Sequence, residues 1–297
     1  MALQNSLHTE LMVQEISAAS LHLTQARAPV AHEVEVVNEL GETYTVAIPS
    51  ERALTVYVDK QELVTLMTLG AQPELLVLGF LLNQRLIRSA QDLVSITVDW
   101  EVGAAAVKTH TGIDNLREKT SKRVVTTGCG QGSVFGDLMQ DVDSIRLPET
   151  RLTQEELYAV VNTMRIQDST YKSTGSVHGC ALFQGPELLY FVEDVGRHNA
   201  LDTIAGWMAL QDSMGGQDKI FYTTGRLTSE MVIKAAQMGV AVVVSRSGTT
   251  QMGQALAQHL GLCTIGRALN RRFMCFSGSH RLVLQPGLAQ ERLRAVA

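Results

Sequence analysis

Runs rich in Val and Thr over residues 32–48 and 54–58 predict strands, with Leu40–Thr43 as the turn of an antiparallel hairpin. Pro73 then opens a helix. Leu75, Leu76, Leu78, Gly79, Leu82 and Leu86 place a wide apolar stripe on one of its faces, which assigns it to the core. Residues 93–107 return to β character. A polar, basic stretch over 109–123 leads into a glycine loop, and a domain boundary is placed there.

The second half has a steadier rhythm. Short apolar runs at 188–192, 219–222, 240–244 and 263–265 read as strands. Between them lie a helix with Leu201, Ile204, Ala205 and Met208 at i, i+3, i+4 and i+7, and helices over 229–238 and 251–260. This alternation predicts right-handed βαβ units and a mainly parallel sheet, an α/β class. The expected organisation is a flexible arm over 1–30, a smaller α+β domain over 31–125, an α/β core over 126–285 and a tail over 286–297.

Composition narrows the function classes. With 297 residues, 45% hydrophobic and 19% charged, the chain has enough apolar mass for a genuine core. A formal charge of −5 provides no global basic field, so an anionic partner must be held by a local arginine cluster, and nucleic-acid binding is not expected. No run of eighteen apolar residues and no secretory pattern occurs, which predicts a cytoplasmic protein without membrane contact. Cys129, Cys180, Cys263 and Cys275 are widely separated and form no C-x-x-C, so neither a zinc ribbon nor a disulfide scaffold is indicated. Cys180 and Cys263 sit in apolar runs and read as small buried hydrophobes.

Ligands of open α/β sheets bind beyond the carboxyl ends of the strands, so the residues after each strand are informative. Glu193, Asp194, Arg197 and His198 follow the first; Thr224, Gly225, Arg226 and Ser229 the second. Ser245, Arg246, Ser247 and Thr249 follow the third, and Arg267, Ala268, Leu269, Asn270, Arg271 and Arg272 belong to the fourth turn. Each turn brings a Gly and at least one Arg. Backbone N–H groups at a helix start and guanidinium forks suit phosphate, so a diphosphate-bearing ligand fits this edge. A single such turn also reads as a plain N-cap, and Thr228 is a candidate for one.

Cys129 lies between Gly128 and Gly130, where the backbone is free to swing, and Arg117, Lys119, Lys122 and Arg123 upstream favour its thiolate. Such a thiol suits transfer of a sulfane sulfur; a plain flexible loop with an exposed Cys is the alternative. His178 and His198 are candidates for orienting a ligand or moving a proton, against the reading of a lone His as a satisfied structural residue. No metal site is indicated.

Glu193–Asp202, Gly225–Ala236 and Ser245–Ser247, with Glu74–Leu81, Thr127–Gly130 and Thr174–His178 upstream, resemble in order the motifs of the formate dehydrogenase accessory sulfurtransferase (FdhD) family. The similarity spans about residues 30–280. It implies a cytidine-deaminase-like core, a homodimer, and a carrier Cys at position 129. By the same resemblance, that Cys accepts persulfide sulfur from a cysteine desulfurase. It passes the sulfur to a bis-molybdopterin guanine dinucleotide cofactor, whose guanine loop maps onto Arg267–Arg272, before insertion into the formate dehydrogenase catalytic subunit. The deaminase zinc signature is absent from the sequence, so deamination does not come with the fold. Two departures stand out: Gly132 replaces the second thiol of a C-x-x-C loop, and Arg267–Arg272 lacks a Pro-Gly turn. The first leaves open a cofactor-binding chaperone without sulfur transfer.

Overall fold

The computed structural model describes residues 21–113, 124–125, 132–133, 142–211 and 218–288. Cys129, the basic stretch over 114–123, residues 1–20 of the predicted arm and residues 289–297 of the tail lie outside the described residues.

The chain starts with β1 (His22–Leu23), the hairpin β2 (Ala31–Val37) and β3 (Thr43–Pro49), then β4 (Arg52–Val58) and β5 (Gln61–Thr68). The hairpin turns where the sequence predicts, with Asn38 Oδ1 accepting from the Leu40 and Glu42 amides at 2.9 and 3.0 Å. Strand β5 has no sequence expectation. It folds back on β4 through Asp59 and Lys60, both at positive φ, which gives the tight turn a right-twisted hairpin needs. Residues 21–30, expected in a flexible arm, are tied down. Strand β1 runs parallel to β6 (Leu93–Asp99), and Thr24 Oγ1 and the Ala26 amide donate to Glu74 Oε1 at 2.6 and 2.7 Å. With β7 (Ala104–Thr109) these strands form a five-stranded sheet in the order β1-β6-β7-β4-β5.

Helix α1 (Pro73–Asn83) has Pro at its start and is buried on nearly every face, more than the one-sided stripe of the sequence reading. It lies between that sheet and a helix of the second half. Beyond it, β8 (Val124–Val125) and β9 (Gly132–Ser133) pair on either side of residues 126–131. Then come β10 (Leu152–Thr153), α2 (Gln154–Ile166), α3 (Thr170–Thr174), β11 (His178–Gln184), β12 (Glu187–Asp194), α4 (Arg197–Leu210), β13 (Lys219–Thr223) and α5 (Ser229–Gln237). The order closes with β14 (Val242–Ser245), α6 (Gln251–Leu260), β15 (Cys263–Leu269), β16 (Arg272–Ser277) and β17 (Leu282–Val283), the last paired with β10.

The second sheet runs β12-β11-β13-β14-β15-β16 and is mixed, which corrects the mainly parallel expectation. Only β13–β14 and β14–β15 are parallel neighbours. The cause is two hairpins. β11 returns as β12 through Gly185, and β15 returns as β16 at Asn270–Arg271, and strands joined that closely must be antiparallel. β11 is antiparallel to both β12 and β13, so β12, β13, β14 and β15 still point one way. Their carboxyl ends share one edge. One face of the sheet packs Leu182, Val192, Phe221 and Val243 on α4, α5 and α6; the other packs Ala181, Phe183, Val242 and Ile265 on α2. Among the described residues no helix is long and apolar enough to cross a membrane.

The two sheets are joined where α1 crosses α4. A Cβ built at Gly79 would collide with the carbonyl oxygen of Asp202, and one at Gly206 with that of Leu75, so the two backbones touch. Around the crossing, Asp202 accepts from Asn83 Nδ2 at 2.7 Å and from Lys234 Nζ at 2.9 Å, and Lys234 lies 3.5 Å from Glu230. All four side chains are buried. Unpartnered charges there would cost several kcal/mol each, so the network holds α1, α4 and α5 in one arrangement.

Gly79→Ala and Gly206→Ala should each lower unfolding stability by about 3 kcal/mol or more in urea titration, since backbone must move to admit a methyl group. Gly287→Ala, where the added Cβ meets nothing within 4 Å, should change it by less than about 0.5 kcal/mol.

Candidate functional site

At the shared edge the turns are laced together by their own hydroxyls. Ser245 Oγ donates to the Gly225 carbonyl at 2.6 Å and Ser247 Oγ to that of Thr224 at 2.8 Å. Thr249 Oγ1 donates to the Leu227 carbonyl at 3.0 Å. Thr224 Oγ1 accepts from the Gly179 amide at 3.1 Å and lies 3.3 Å from His178 Nδ1. These Ser and Thr residues thus fix the spacing of three turns. Gly225 has its own reason: a Cβ there would come 2.7 Å from Arg197 Cδ, so the glycine makes room for the Arg197 stem. Thr228 occupies the N-cap position of α5 without a capping side-chain bond, whereas Thr250 caps α6 through the Gly253 amide at 3.2 Å.

The charged residues after β12 divide by depth. Glu193 accepts from the Thr170 and Tyr171 amides at 2.5 and 3.1 Å and so holds the start of α3. Asp194 is buried and accepts from Thr68 Oγ1 (2.5 Å), Asn199 Nδ2 (2.8 Å), and the Gly196 (3.0 Å) and Leu69 (3.1 Å) amides. Burial raises its pKa, and those donors oppose the rise. Asp194 therefore links β5 of the first sheet to the start of α4. Arg197 and His198 lie beneath the surface. His198 Nε2 is 3.4 Å from Glu230, and burial, with Lys234 and Arg197 nearby, pushes its pKa down to about 2, so it is a neutral imidazole. Cys180, close in sequence to His178, is buried against Thr223 Oγ1 at 3.2 Å, and burial raises its thiol to about 12. It stays protonated at neutral pH.

What faces outward is basic. Arg226, Arg246, Arg267, Arg271 and Arg272 are exposed, and His178 is half-buried, its pKa lowered by burial and then by Arg197 and Arg226. Three neighbouring cavities follow this edge. One of about 520 Å³ is lined by His178, Thr224, Arg246, Ser247, Val195 and Tyr171. A second of about 170 Å³ shares Thr224, Arg246 and Tyr171 and adds Glu193, Ala268, Leu269 and Asn270. The third, about 980 Å³, shares Leu269 and Asn270 and adds Arg267, Arg271 and Arg272. The Arg246 guanidinium lies over the Tyr171 ring at 5.8 Å and that of Arg271 over Tyr158 at 5.7 Å. A cation–π contact of this kind steadies a guanidinium at the surface, where its N–H groups can meet an anion.

The arrangement suits a long anionic ligand with flat groups between its charges. The model of the FdhD/NarQ family matches residues 49–283, most of the chain and every candidate site residue. The chain belongs to the FdhD/NarQ family. It is 31% identical over 239 residues to a sulfur carrier protein FdhD of Listeria monocytogenes, covering 80% of this chain and 91% of that one. It is 33% identical over 236 residues to that of Bacillus subtilis, covering 78% and 89%. A putative formate dehydrogenase accessory protein from Desulfotalea psychrophila has the same fold, with a TM-score of 0.69 at 24% identity, covering 86% of this chain and all of that one.

In this family member the predicted residues do not form one surface. His178, Glu193, Thr224, Arg246, Ser247, Arg267 and Ala268–Arg272 line the cavities; Asp194, Arg197, His198 and Ser245 are buried supports; Arg226 is exposed and Ser229 opens α5. Arg267–Arg272, read as a loop, is the end of β15 and the tight turn into β16, with Arg267 and Asn270 at positive φ. Sequence reasoning missed the aromatic wall of Tyr158, Tyr171, Phe191 and Tyr222. A signal existed only for α3, where Ser169 and Gly175 sit as N-cap and left-handed C-cap.

A histidine held below its unfolded pKa takes up a proton only on unfolding, so its contribution is full above about pH 6.5 and is lost as pH falls toward the folded value. Between pH 7 and pH 5 wild type should lose about 2 kcal/mol more unfolding stability than His198→Gln, measured by urea titration at both pH values.

Proposed function

We propose that this chain is a sulfur carrier in formate dehydrogenase maturation. Cys129 takes up sulfane sulfur and delivers it to a bis-molybdopterin guanine dinucleotide cofactor held along the strand-end edge. The single observation that carries the reading is the run of three neighbouring cavities bordered by Arg246, Arg267, Arg271 and Arg272 beside flat aromatic faces. The names borne by the relatives support the sulfur role. The Cys129 thiolate attacks the terminal sulfur of a cysteine desulfurase persulfide; a new S–S bond forms at Cys129 and the donor thiolate leaves. In delivery the acceptor would supply the electron pair that bonds the terminal sulfur as the S–S bond breaks, and Cys129 would leave as the thiolate. Arg246 and the Arg267–Arg272 turn bind phosphates, Tyr171 and Tyr158 face planar rings, and the neutral His178 donates or accepts a hydrogen bond at the mouth. The same reading takes the six-stranded core as cytidine-deaminase-like, the protein as a cytoplasmic homodimer, and the formate dehydrogenase catalytic subunit as its client.

One feature favours a second reading. Gly132 leaves the Cys129 loop with one thiol, which suits a cofactor-binding chaperone that transfers no sulfur.

Complementation of a formate dehydrogenase maturation defect separates the two. Cys129→Ala should abolish formate dehydrogenase activity, and mass spectrometry after incubation with desulfurase and cysteine should show one added sulfur on wild type and none on the variant. Arg246→Ala should keep that added sulfur yet reduce complementation at least tenfold. Full complementation by Cys129→Ala would reject sulfur carriage, and full complementation by Arg246→Ala would reject cofactor binding at this edge.

A further inference from the structure

Cys263 opens β15 and Cys275 lies on the antiparallel neighbour β16. The register pairs Thr264 with Ser277 and Ile265 with Cys275, leaving Phe276 as an extra residue, so Cys263 and Cys275 are diagonal neighbours. Both pack into the apolar layer between the sheet and α2. There the Cys275 thiol donates to the Ser277 carbonyl at 3.2 Å. Cys263 is fully buried, while Cys275 is partly exposed. The hairpin is pinned beside them. Thr264 Oγ1 and Ser277 Oγ are 2.5 Å apart, Ser277 Oγ donates to the Leu262 carbonyl at 2.8 Å, and a Cβ on Gly278 would come 2.6 Å from Cys263 Cα.

We propose that Cys263 and Cys275 are a thiol pair that closes reversibly into a disulfide at the base of the β15–β16 hairpin, with Cys275 as the attacked thiol and Cys263 as the resolving one. The oxidant class is a hydroperoxide. The Cys275 thiolate attacks one peroxide oxygen, the O–O bond breaks, and with one proton taken up the products are a sulfenic acid and water or an alcohol. The Cys263 sulfur then attacks the Cys275 sulfur; the S–O bond breaks, hydroxide leaves, and the Cys263 proton completes a water molecule. The thiol pair loses two electrons, which the peroxide gains.

The environment suits this division of labour. Cys275 is partly exposed and the neighbouring Cys263 thiol lowers its pKa, whereas that neighbour and burial push the fully buried Cys263 up. Arg281, held by the Gly261, Pro148 and Thr150 carbonyls, is the charged group acting on Cys263. An oxidant thus meets the accessible, more readily ionised sulfur first. Closure shortens a diagonal contact to a bond of ~2.05 Å, so the hairpin shifts at its base, and its tip carries Asn270 and Arg271 beside the cavities.

This inference is independent of sulfur carriage by Cys129. The full chain, treated with stoichiometric hydrogen peroxide and digested with trypsin without reduction, should yield peptide 247–267 joined to peptide 273–281, and dithiothreitol should separate them. Cys129→Ala should keep the cross-link. Cys275→Ser should abolish it, and Cys263→Ala should instead accumulate a dimedone-reactive sulfenic acid at Cys275. Cys275 should also alkylate roughly tenfold faster at pH 7 in wild type than in Cys263→Ala, a difference that packing alone would not produce. Cross-links to Cys180 instead, linkage only after denaturation, or Cys275 over-oxidised without linkage would overturn the proposal.

Discussion

Two backbones meet with no side chain between them where Gly79 of α1 faces Asp202 and Gly206 of α4 faces Leu75. That contact decides more than one helix crossing. With α1 seated against α4, the five-stranded sheet that α1 covers is fixed relative to the six-stranded one, and the end of β5 arrives at the start of α4. There Thr68 and the Leu69 amide meet Asp194, and the Met67 carbonyl meets Asn199. A carboxylate as buried as Asp194 is tolerable only with such donors, so the first sheet completes the hydrogen bonding of the strand edge as well as covering the core.

The long run from Glu193 to Asp202 therefore has divided duties. Glu193 seats α3, Asp194 and Asn199 join the sheets, and Asp202 anchors the buried ammonium of Lys234. The same division recurs in the later turns, where Ser and Thr hydroxyls bridge neighbouring turns and guanidiniums turn to solvent. A hydroxyl bridging two turns costs little to bury because its hydrogen bond is made. A guanidinium is expensive to bury and effective at the surface against an anion. Depth, more than residue type, thus separates the residues that build the edge from those that present it.

Much of the α/β layout is legible in the sequence because helices with a period near 3.6 and short apolar strands differ strongly in pattern; α6 has the predicted bounds, residues 251–260. The missed strands have separate causes. β5 follows a turn of Asp59 and Lys60, without the Asn-Gly or Asp-Gly that marks a hairpin, and β11 begins at His178, which drew a chemical reading instead of a structural one. Missing β11, which sits between β12 and β13, and β16, which returns beside β15, produced the error in sheet type. Among site residues, the exposed arginines were legible from their position after strands. The burial of Lys234, Asp202 and His198 was not, because their partners come from α1, α4 and α5, and sequence spacing carries no record of that meeting.

The sheet also sorts the described thiols. Successive side chains along a strand alternate between faces, so Cys180 on β11 enters the layer beneath α4, α5 and α6, while Cys263 on β15 enters the layer beneath α2 with Cys275 against it. A packed sheet stands between them. Cys180 bonds Thr223 on its own face and Cys263 meets Cys275 on the other, so exchange between the two faces requires the sheet to open. Alternation along two strands thus confines thiol chemistry among the described residues to one hairpin, and that hairpin carries the arginine turn at its other end.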